Sequence, residues 1–304
     1  MRKPETLECL YLDFDGFFAS VMQQAMPSLR GRPVGIIPFE TDAADRTSVI
    51  ACSKEAKASG CKNVMSVTDA RRLCPDILLV PQRPDLFRRA HNMLLNEIAC
   101  EIPIETVKSI DELACRLDAK DARHPEVLAK RLKDRIAANV GPYITCSIGF
   151  AANRLLAKTA CKIDKPNGVT VWRPDEMPAP LLPLPISGIS GIGPRLEIRL
   201  IRAGITSMAK LLAAEPKHLR KIWGNVNGER MWYALQGYDV KALPTARGMY
   251  GHGRVLPPEW RNPEKAEGCS RLLLMKAARR MRRDGYNARK LSLYLDTRGG
   301  GWVG

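Results

Sequence analysis

The stretch YLDFDGFFASV (Tyr11–Val21) decides how the rest of this chain is read. It is apolar enough for a buried strand, yet it carries two acids, Asp13 and Asp15, and then two adjacent aromatics, Phe17 and Phe18. Period-2 alternation over residues 6–14 predicts a strand with Leu10, Leu12 and Phe14 on one face and Tyr11, Asp13 and Asp15 on the other. Carboxylates two residues apart on one strand project about 7 Å from each other. The following GFFASVMQQAMPSLRG (16–31) has helical character, with Gly31 near its end. An acid at a strand–helix junction has two readings, a ligand or a helix N-cap, and Asp15 is expected to be the cap.

Outward from this stretch, strands and helices alternate in a mixed α/β pattern to about residue 173. PVGIIP and TSVIACS are short strands around the polar loop Glu40–Arg46, followed by two short helices and the strand ILLVP. PDLFRRAHNMLLNEIACEI and HPEVLAKRLKDRIAANVG are amphipathic helices. Between them, ETVKSIDELACRLDA reads as two strands joined at Asp111-Glu112. YITCSIGFA is a strand and ANRLLAKTACKID a helix. A proline-dense connector, RPDEMPAPLLPLPISG, then leads into a helical stretch ending at Gly237. ALPTARGMYGHGR (242–254) reads as a tether, after which a strand (Gly253–Leu256), a helix (Glu264–Asp284) and a strand (ARKLSLYLD) are expected.

Composition narrows the function classes. The 304 residues contain 48 Lys+Arg and 32 Asp+Glu, a net charge of +16. Residues 241–304 hold 14 basic and 5 acidic side chains, so over half of the excess lies in the last fifth of the chain. A basic segment of that kind tracks a phosphate backbone. The nine cysteines are scattered, with no CxxC and no nearby histidines, which argues for small core residues rather than a zinc site or disulfide framework. No apolar run of about 18 residues and no signal-like N-terminus are present, so a soluble, intracellular protein without a membrane partner is expected.

Asp13, Asp111 and Glu112 all fall at the ends of apolar strands in one α/β unit. Three hard oxygen ligands there suit Mg²⁺, which takes carboxylates together with substrate phosphates, and point to a two-metal site for phosphoryl or nucleotidyl transfer. Neighbouring strand residues face opposite ways, so Asp111 and Glu112 can share this task only at a strand end or bulge. ISGIGPRLEIRLIRAGI has the form of a helix-hairpin-helix: Gly191 and Gly193 allow backbone N–H groups to approach a DNA phosphate, beside a helix bearing Arg195, Arg199 and Arg202. IWGNVNGERMWYALQG is a candidate second hairpin.

Together LYLDFDGFFASV, SIDE, CSIGFAANRLLAKTACKIDKPNG and GIGPRLEIRLIRAGI resemble, in order and spacing, a Y-family lesion-bypass DNA polymerase of the DNA polymerase IV kind, from about residue 8 to 295. The resemblance implies an α+β right-hand polymerase. It divides into a mixed α/β palm (1–18 and 78–170), small fingers (19–77), a helical thumb with the helix-hairpin-helix (171–240), a linker (241–250) and an incomplete βαβ little finger (251–304). It implies metal ligation by Asp13, Asp111, Glu112 and the backbone carbonyl of Phe14, with two Mg²⁺ ions that Mn²⁺ can replace. Phe18 falls on the family's steric gate, and Phe17, Phe18, Lys54, Lys57 and Lys165 on its nucleotide-binding positions, with Phe17 also expected in the core. Arg279, Arg280, Arg282 and Arg283 would run along the duplex, with Leu272, Leu273, Ala277 and Met281 on the buried side of their helix.

The implied partners are primer-template DNA, dNTPs and a sliding clamp, although no clamp-binding peptide is recognisable. The implied location is the cytoplasm, at the nucleoid. Lys54 and Lys57 stand where the family usually has tyrosine and arginine, which keeps charge but loses bidentate geometry. Met22 replaces a frequent glutamate and Lys162 a frequent aspartate, each expected to make the cleft more positive. The chain ends at TRGGGWVG, half-way through the family's last domain, so a truncation or fragment is expected. The competing readings are a catalytically weak or inactive DNA-binding accessory factor on the same scaffold, and a palm-type nucleotidyl cyclase, which needs neither hairpin nor basic tail.

Overall fold

The computed structural model describes residues 1–40, 47–241, 248–297 and 300–303. The chain forms two units, Met1–Ala242 and Leu243–Gly304. The polar-loop residues 41–46, tether residues 242–247 and tail residues 298, 299 and 304 lie outside the described set.

In the first unit the strand begins at Cys9, three residues later than the alternation predicts, and runs Cys9–Phe14. It is the middle of a five-stranded sheet ordered Val169–Val171, Cys146–Ala151, Cys9–Phe14, Glu112–Arg116, Ile104–Val107. Both neighbours of the central strand are antiparallel to it, and Val169–Val171 runs parallel to Cys146–Ala151. Elements packed on each side of the sheet bury this strand on both faces. Leu10, Leu12 and Phe14 join the main core, which holds Phe87, Leu94 and Ile98 of helix Pro84–Ala99 and Leu128, Leu132 and Ile136 of helix Pro125–Asn139. Cys9 and Tyr11 face the opposite core, against Leu156, Ala157 and Ala160 of helix Arg154–Ala160.

That second face depends on one missing side chain. A Cβ on Gly149, in the middle of strand Cys146–Ala151, would lie 2.1 Å from the carbonyl oxygen of Ala157 and 2.3 Å from the backbone nitrogen of Cys161. Only glycine lets the Arg154–Ala160 helix lie this close to the sheet, because backbone atoms cannot rotate away as a side-chain tip can.

A smaller three-stranded sheet has Val34–Ile37 between Ala51–Cys52, antiparallel to it, and Leu78–Pro81, parallel to it. The strand pair Ser48–Val49 and Met65–Ser66 and the helices Lys54–Ala58 and Val67–Leu73 accompany it, around a core that includes three cysteines, Cys52, Cys61 and Cys74. All nine cysteines are free and all but Cys100 are buried, as expected of small core residues. Four helices follow, Pro194–Arg202, Met208–Ala213, Pro216–Trp223 and Asn227–Leu235.

In the second unit, helix Pro263–Arg283 matches the expected one, but its flanks differ from expectation. Gly253–Leu256 is irregular rather than a strand, and among the described residues no strand pairs with it. Of ARKLSLYLD only the last three residues enter a strand, Tyr294–Thr297, which pairs antiparallel with Gly300–Val303. The helix buries Cys269 and Ala277, one i+4 row, whereas Leu272 is 54% exposed. Residue 272 sits about 100° round the helix from 273, so the two cannot share a narrow stripe.

Gly149→Ala is expected to destabilise the first unit by about 3 kcal/mol, the upper range for overpacking against backbone. Urea unfolding, read as a shift in the midpoint at constant slope, checks it.

Candidate active site

The register of the central strand fixes the site. Asp13 lies opposite Glu112 on one side and Ser147 on the other. The Phe14 N–H donates to the Asp111 carbonyl at 2.9 Å. That bond makes Phe14 and Asp111 a hydrogen-bonded pair, so Asp13 and Glu112 form the adjacent non-hydrogen-bonded pair, whose Cα atoms stand about 4.5 Å apart with side chains on the same face. Strand Glu112–Arg116 begins at Glu112, leaving Asp111 just outside it. The alternation that would send adjacent acids to opposite faces therefore does not bind Asp111: Asp13 and Glu112 share one edge, and Asp111 lies near enough for its charge to repel that of Asp13.

Each carboxylate has its own partner. Asp13 is held by Lys165. Glu112 accepts from Lys158 at both oxygens, at 2.7 and 2.8 Å, and from the Tyr11 hydroxyl at 3.0 Å. Asp111 accepts from the Ser109 hydroxyl two residues back. Burial raises the pKa of Asp13; Lys165 opposes this, but Asp111 and Glu112 add their repulsion and the net shift is upward. Burial also works against ionised Glu112, but Lys158, Tyr11 and Lys165 outweigh it and its pKa falls below the ordinary carboxylate range. Burial disfavours the Lys165 ammonium, which Asp13 more than offsets. The edge thus holds a negative centre partly neutralised by two lysines.

Asp15 is not the helix cap. Gly16 occupies the cap position of helix Phe17–Ala25 in the left-handed region, at φ 55°, and no side chain caps that helix. The sharp turn at Gly16 points the Asp15 carboxylate away from the helix and into the sheet. There it accepts from the hydroxyls of Ser147 (2.8 Å) and Thr145 (3.1 Å) and from the backbone N–H of Asn167 (2.8 Å). It ties the loop carrying Lys165 to the strand carrying Asp13.

Phe17 is 2% exposed, with its ring 6.0 Å from that of Phe14. Its side chain has no surface to offer a nucleotide, so any part it plays there comes through its backbone. Phe18, half-buried, packs edge-on to Phe17 at 5.6 Å and lies 4.7 Å from the Phe87 ring, leaving part of its ring open. Lys54 and Lys57 are exposed on helix Lys54–Ala58, and among the described residues neither pairs with the three carboxylates. Met22 is fully buried in the main core, so it has no effect on the charge of a cleft. Lys162 follows Lys158 by one helical turn, and desolvation together with Lys158 lowers its pKa.

Gly191 is left-handed (φ 97°) and Gly193 caps helix Pro194–Arg202, with Arg195, Arg199 and Arg202 exposed on it. In the other candidate hairpin, Pro216–Trp223 packs tightly against Asn227–Leu235: a Cβ on Gly228 would stand 2.3 Å from the Leu219 carbonyl. In the second unit Arg279, Arg280, Arg282 and Arg283 are all exposed; Arg280 donates to the Gly251 carbonyl and Arg283 pairs with Asp284 at 3.2 Å.

Sequence reading missed Tyr11 and Lys158. Tyr11 shares the strand face of Asp13, a signal that period-2 counting could have used. Lys158 carried no such signal.

Among the described residues no three or more His, Cys, Asp or Glu side chains stand together as a set that could hold a metal ion by themselves. The donors fit Mg²⁺ nonetheless, because that ion takes one or two carboxylates and leaves its other positions to water and phosphate oxygens. Among the described residues no helix is long and apolar enough to cross a membrane.

The family model described as impB/mucB/samB matches residues 12–162. DNA polymerase IV of Moorella thermoacetica is 36% identical, over 97% of this chain and 74% of that protein. DNA polymerase IV 1 of Halalkalibacterium halodurans is 31% identical, over 83% of this chain and 61% of that protein. The chain thus spans about three-fifths to three-quarters of these two relatives. Among solved structures, the insertion ternary complex of Dbh DNA polymerase is 29% identical with a TM-score of 0.68, covering 77% of this chain and 69% of that one.

Glu112→Gln should cost about 2 kcal/mol of stability at pH 7, the scale of hydrogen bonds to a charged group. A depressed carboxylate pKa stabilises above the unfolded-state value and loses that contribution as pH falls through the folded-state value. The difference between variant and parent should therefore vanish in acid, below the ordinary glutamate range, when both are unfolded by urea across pH.

Proposed function

The chain belongs to the impB/mucB/samB family, the Y-family lesion-bypass DNA polymerases, and from that premise we propose that Asp13, Asp111 and Glu112 carry template-directed transfer of dNMP units to a primer 3′-hydroxyl. The observation that supports this is the strand-end register that pairs Asp13 with Glu112, with Asp111 next in the chain and Lys165 beside Asp13.

Y-family polymerases use divalent metal ions. Here the three carboxylates and the Phe14 carbonyl would hold two Mg²⁺, or Mn²⁺ in their place. Bound there, the ions supply the Lewis acidity that lowers the pKa of the primer hydroxyl and steadies the triphosphate and the leaving pyrophosphate. The remaining work falls to the chain itself. Lys165 stands beside Asp13 as a mobile point charge and would turn to a phosphate oxygen when a dNTP arrives. Lys54 and Lys57, both exposed, would add charge for the triphosphate without bidentate geometry. The open side of the Phe18 ring would lie under the incoming sugar and leave no room for a ribose 2′-hydroxyl.

The domain reading follows: the five-stranded sheet is the palm, the three-stranded sheet with its short helices the fingers, and the helices up to Leu235 the thumb. The backbone of Gly191 and Gly193, with Arg195, would grip a primer-template phosphate. Arg279, Arg280, Arg282 and Arg283 would track the backbone of the duplex from the second unit, the little finger. Such contacts position DNA without reading sequence. Fingers with so small a core check the nascent base pair loosely, which implies low fidelity at lesions. Acting on chromosomal DNA, the protein would work in the cytoplasm at the nucleoid, with a sliding clamp as the partner that would hold it there.

Primer extension on an undamaged template with Mg²⁺ and dNTPs tests this reading. Asp13→Ala and Asp111→Ala should each slow extension by on the order of 10³-fold while leaving DNA affinity within about twofold of the parent. Absence of extension by the parent chain with DNA binding intact would favour the accessory-factor reading. Phe18→Ala should lower the preference for dNTP over rNTP by about 10²-fold; normal extension with undiminished preference would remove Phe18 from the gate.

A further inference from the structure

Among the described residues Glu112 is the only one of the three carboxylates whose partners come from two other elements of the fold. Lys158 projects from helix Arg154–Ala160 and Tyr11 from the central strand. The Tyr11 hydroxyl donates to Glu112 Oε2 at 3.0 Å and accepts from Lys158 Nζ at 3.0 Å, so both its hydrogen-bonding directions are spent inside this cluster. Lys158 also lies 5.1 Å from the centre of the Tyr11 ring, over its π face.

The two partners differ in rigidity. Lys158 is a long flexible chain that can follow a carboxylate. Tyr11 is 2% exposed, packed in the core between sheet and helix, and its hydroxyl has one place to be. Glu112 has three side-chain torsions, and the strand register fixes its Cα but not its carboxylate. A rigid donor aimed at one oxygen selects the rotamer that the flexible lysine then accompanies. Asp13 and Asp111, with shorter side chains, have less need of such a guide.

Resting on the reading of Glu112 as a ligand, we propose that Tyr11 is its positioning residue, holding the carboxylate in the orientation that receives a divalent ion. Tyr11 touches neither substrate nor metal; it acts through Glu112. Outer-shell donors of this kind change metal affinity about 10- to 100-fold when removed.

Tyr11→Phe removes the hydroxyl and keeps the ring, so the core is preserved; a thermal unfolding curve without metal confirms the fold. Mn²⁺ titration of the full 304-residue chain, followed by electron paramagnetic resonance without DNA or dNTP, should show affinity about tenfold weaker than the parent. In primer extension, the Mg²⁺ concentration for half-maximal rate should rise by a similar factor, while kcat at saturating Mg²⁺ recovers to within about threefold. In a Glu112→Gln background Tyr11→Phe should have no further effect on Mn²⁺ affinity, because there is no carboxylate left to orient. Unchanged Mn²⁺ affinity in Tyr11→Phe, or an equal loss in the Glu112→Gln background, would overturn the proposal while leaving the polymerase reading intact. No Mn²⁺ binding by the parent chain would instead overturn the ligand reading of the carboxylates, and this proposal with it.

Discussion

The structure turns on one backbone hydrogen bond, from the Phe14 N–H to the Asp111 carbonyl. It closes the antiparallel ladder at the end where the Glu112–Arg116 strand begins, and so decides which residues face each other. With that bond made, Asp13 and Glu112 are a close cross-strand pair and Asp111 hangs at the strand end beside them. A slip of one residue would send every side chain of the strand to the opposite face. Slippage is resisted on both sides: Leu10, Leu12 and Phe14 belong in the main core, and Cys9 and Tyr11 in the core under helix Arg154–Ala160. Hydrophobic burial on two faces thus holds the carboxylates in register, although neither core contains them.

Bringing three acids together has an electrostatic cost, and the fold answers it from elements remote in sequence. Lys158 and Lys165 lie on and just after one helix, and that helix reaches the sheet because Gly149 has no side chain. Asp15, left without a cap to make, ties the Lys165 loop to the sheet through Thr145, Ser147 and Asn167. Glycine packing, a buried carboxylate and two lysines therefore act as one support. The two paired carboxylates respond differently to it: Glu112, bound by Lys158 and Tyr11, is pulled below its ordinary pKa, and Asp13, more deeply buried beside two like charges, is pushed above.

Much of this was legible in the residues. Alternation in Tyr11–Phe14 found the central strand, and the apolar periodicity of Pro84–Ala99 and Pro125–Asn139 found the helices beneath it. The order of motifs gave the family, which the relatives bear out. The errors were of a particular kind. Asp15 was read as a cap because an acid before a helix usually is one, and Gly16 reversed it by taking a left-handed turn. Met22 was credited with an effect on a cleft when its side chain is core. Leu272 was placed on a buried stripe that only one i+4 row of its helix enters, and Gly253–Leu256 was given a strand for which the described residues hold no partner.

What the sequence determined by itself was everything carried by local period and residue type: the alternation of elements, the acids at strand ends, the basic excess of the last fifth of the chain. Those signals operate over a few residues, where geometry per residue is fixed. Only the tertiary structure decided that Asp13 faces Glu112, that Lys158 lies 2.7 Å from a carboxylate 46 residues earlier, and that Tyr11 gives its hydroxyl to the same group. These are contacts between segments brought together by burial of other residues, and no periodicity within a segment encodes which group waits on the far side.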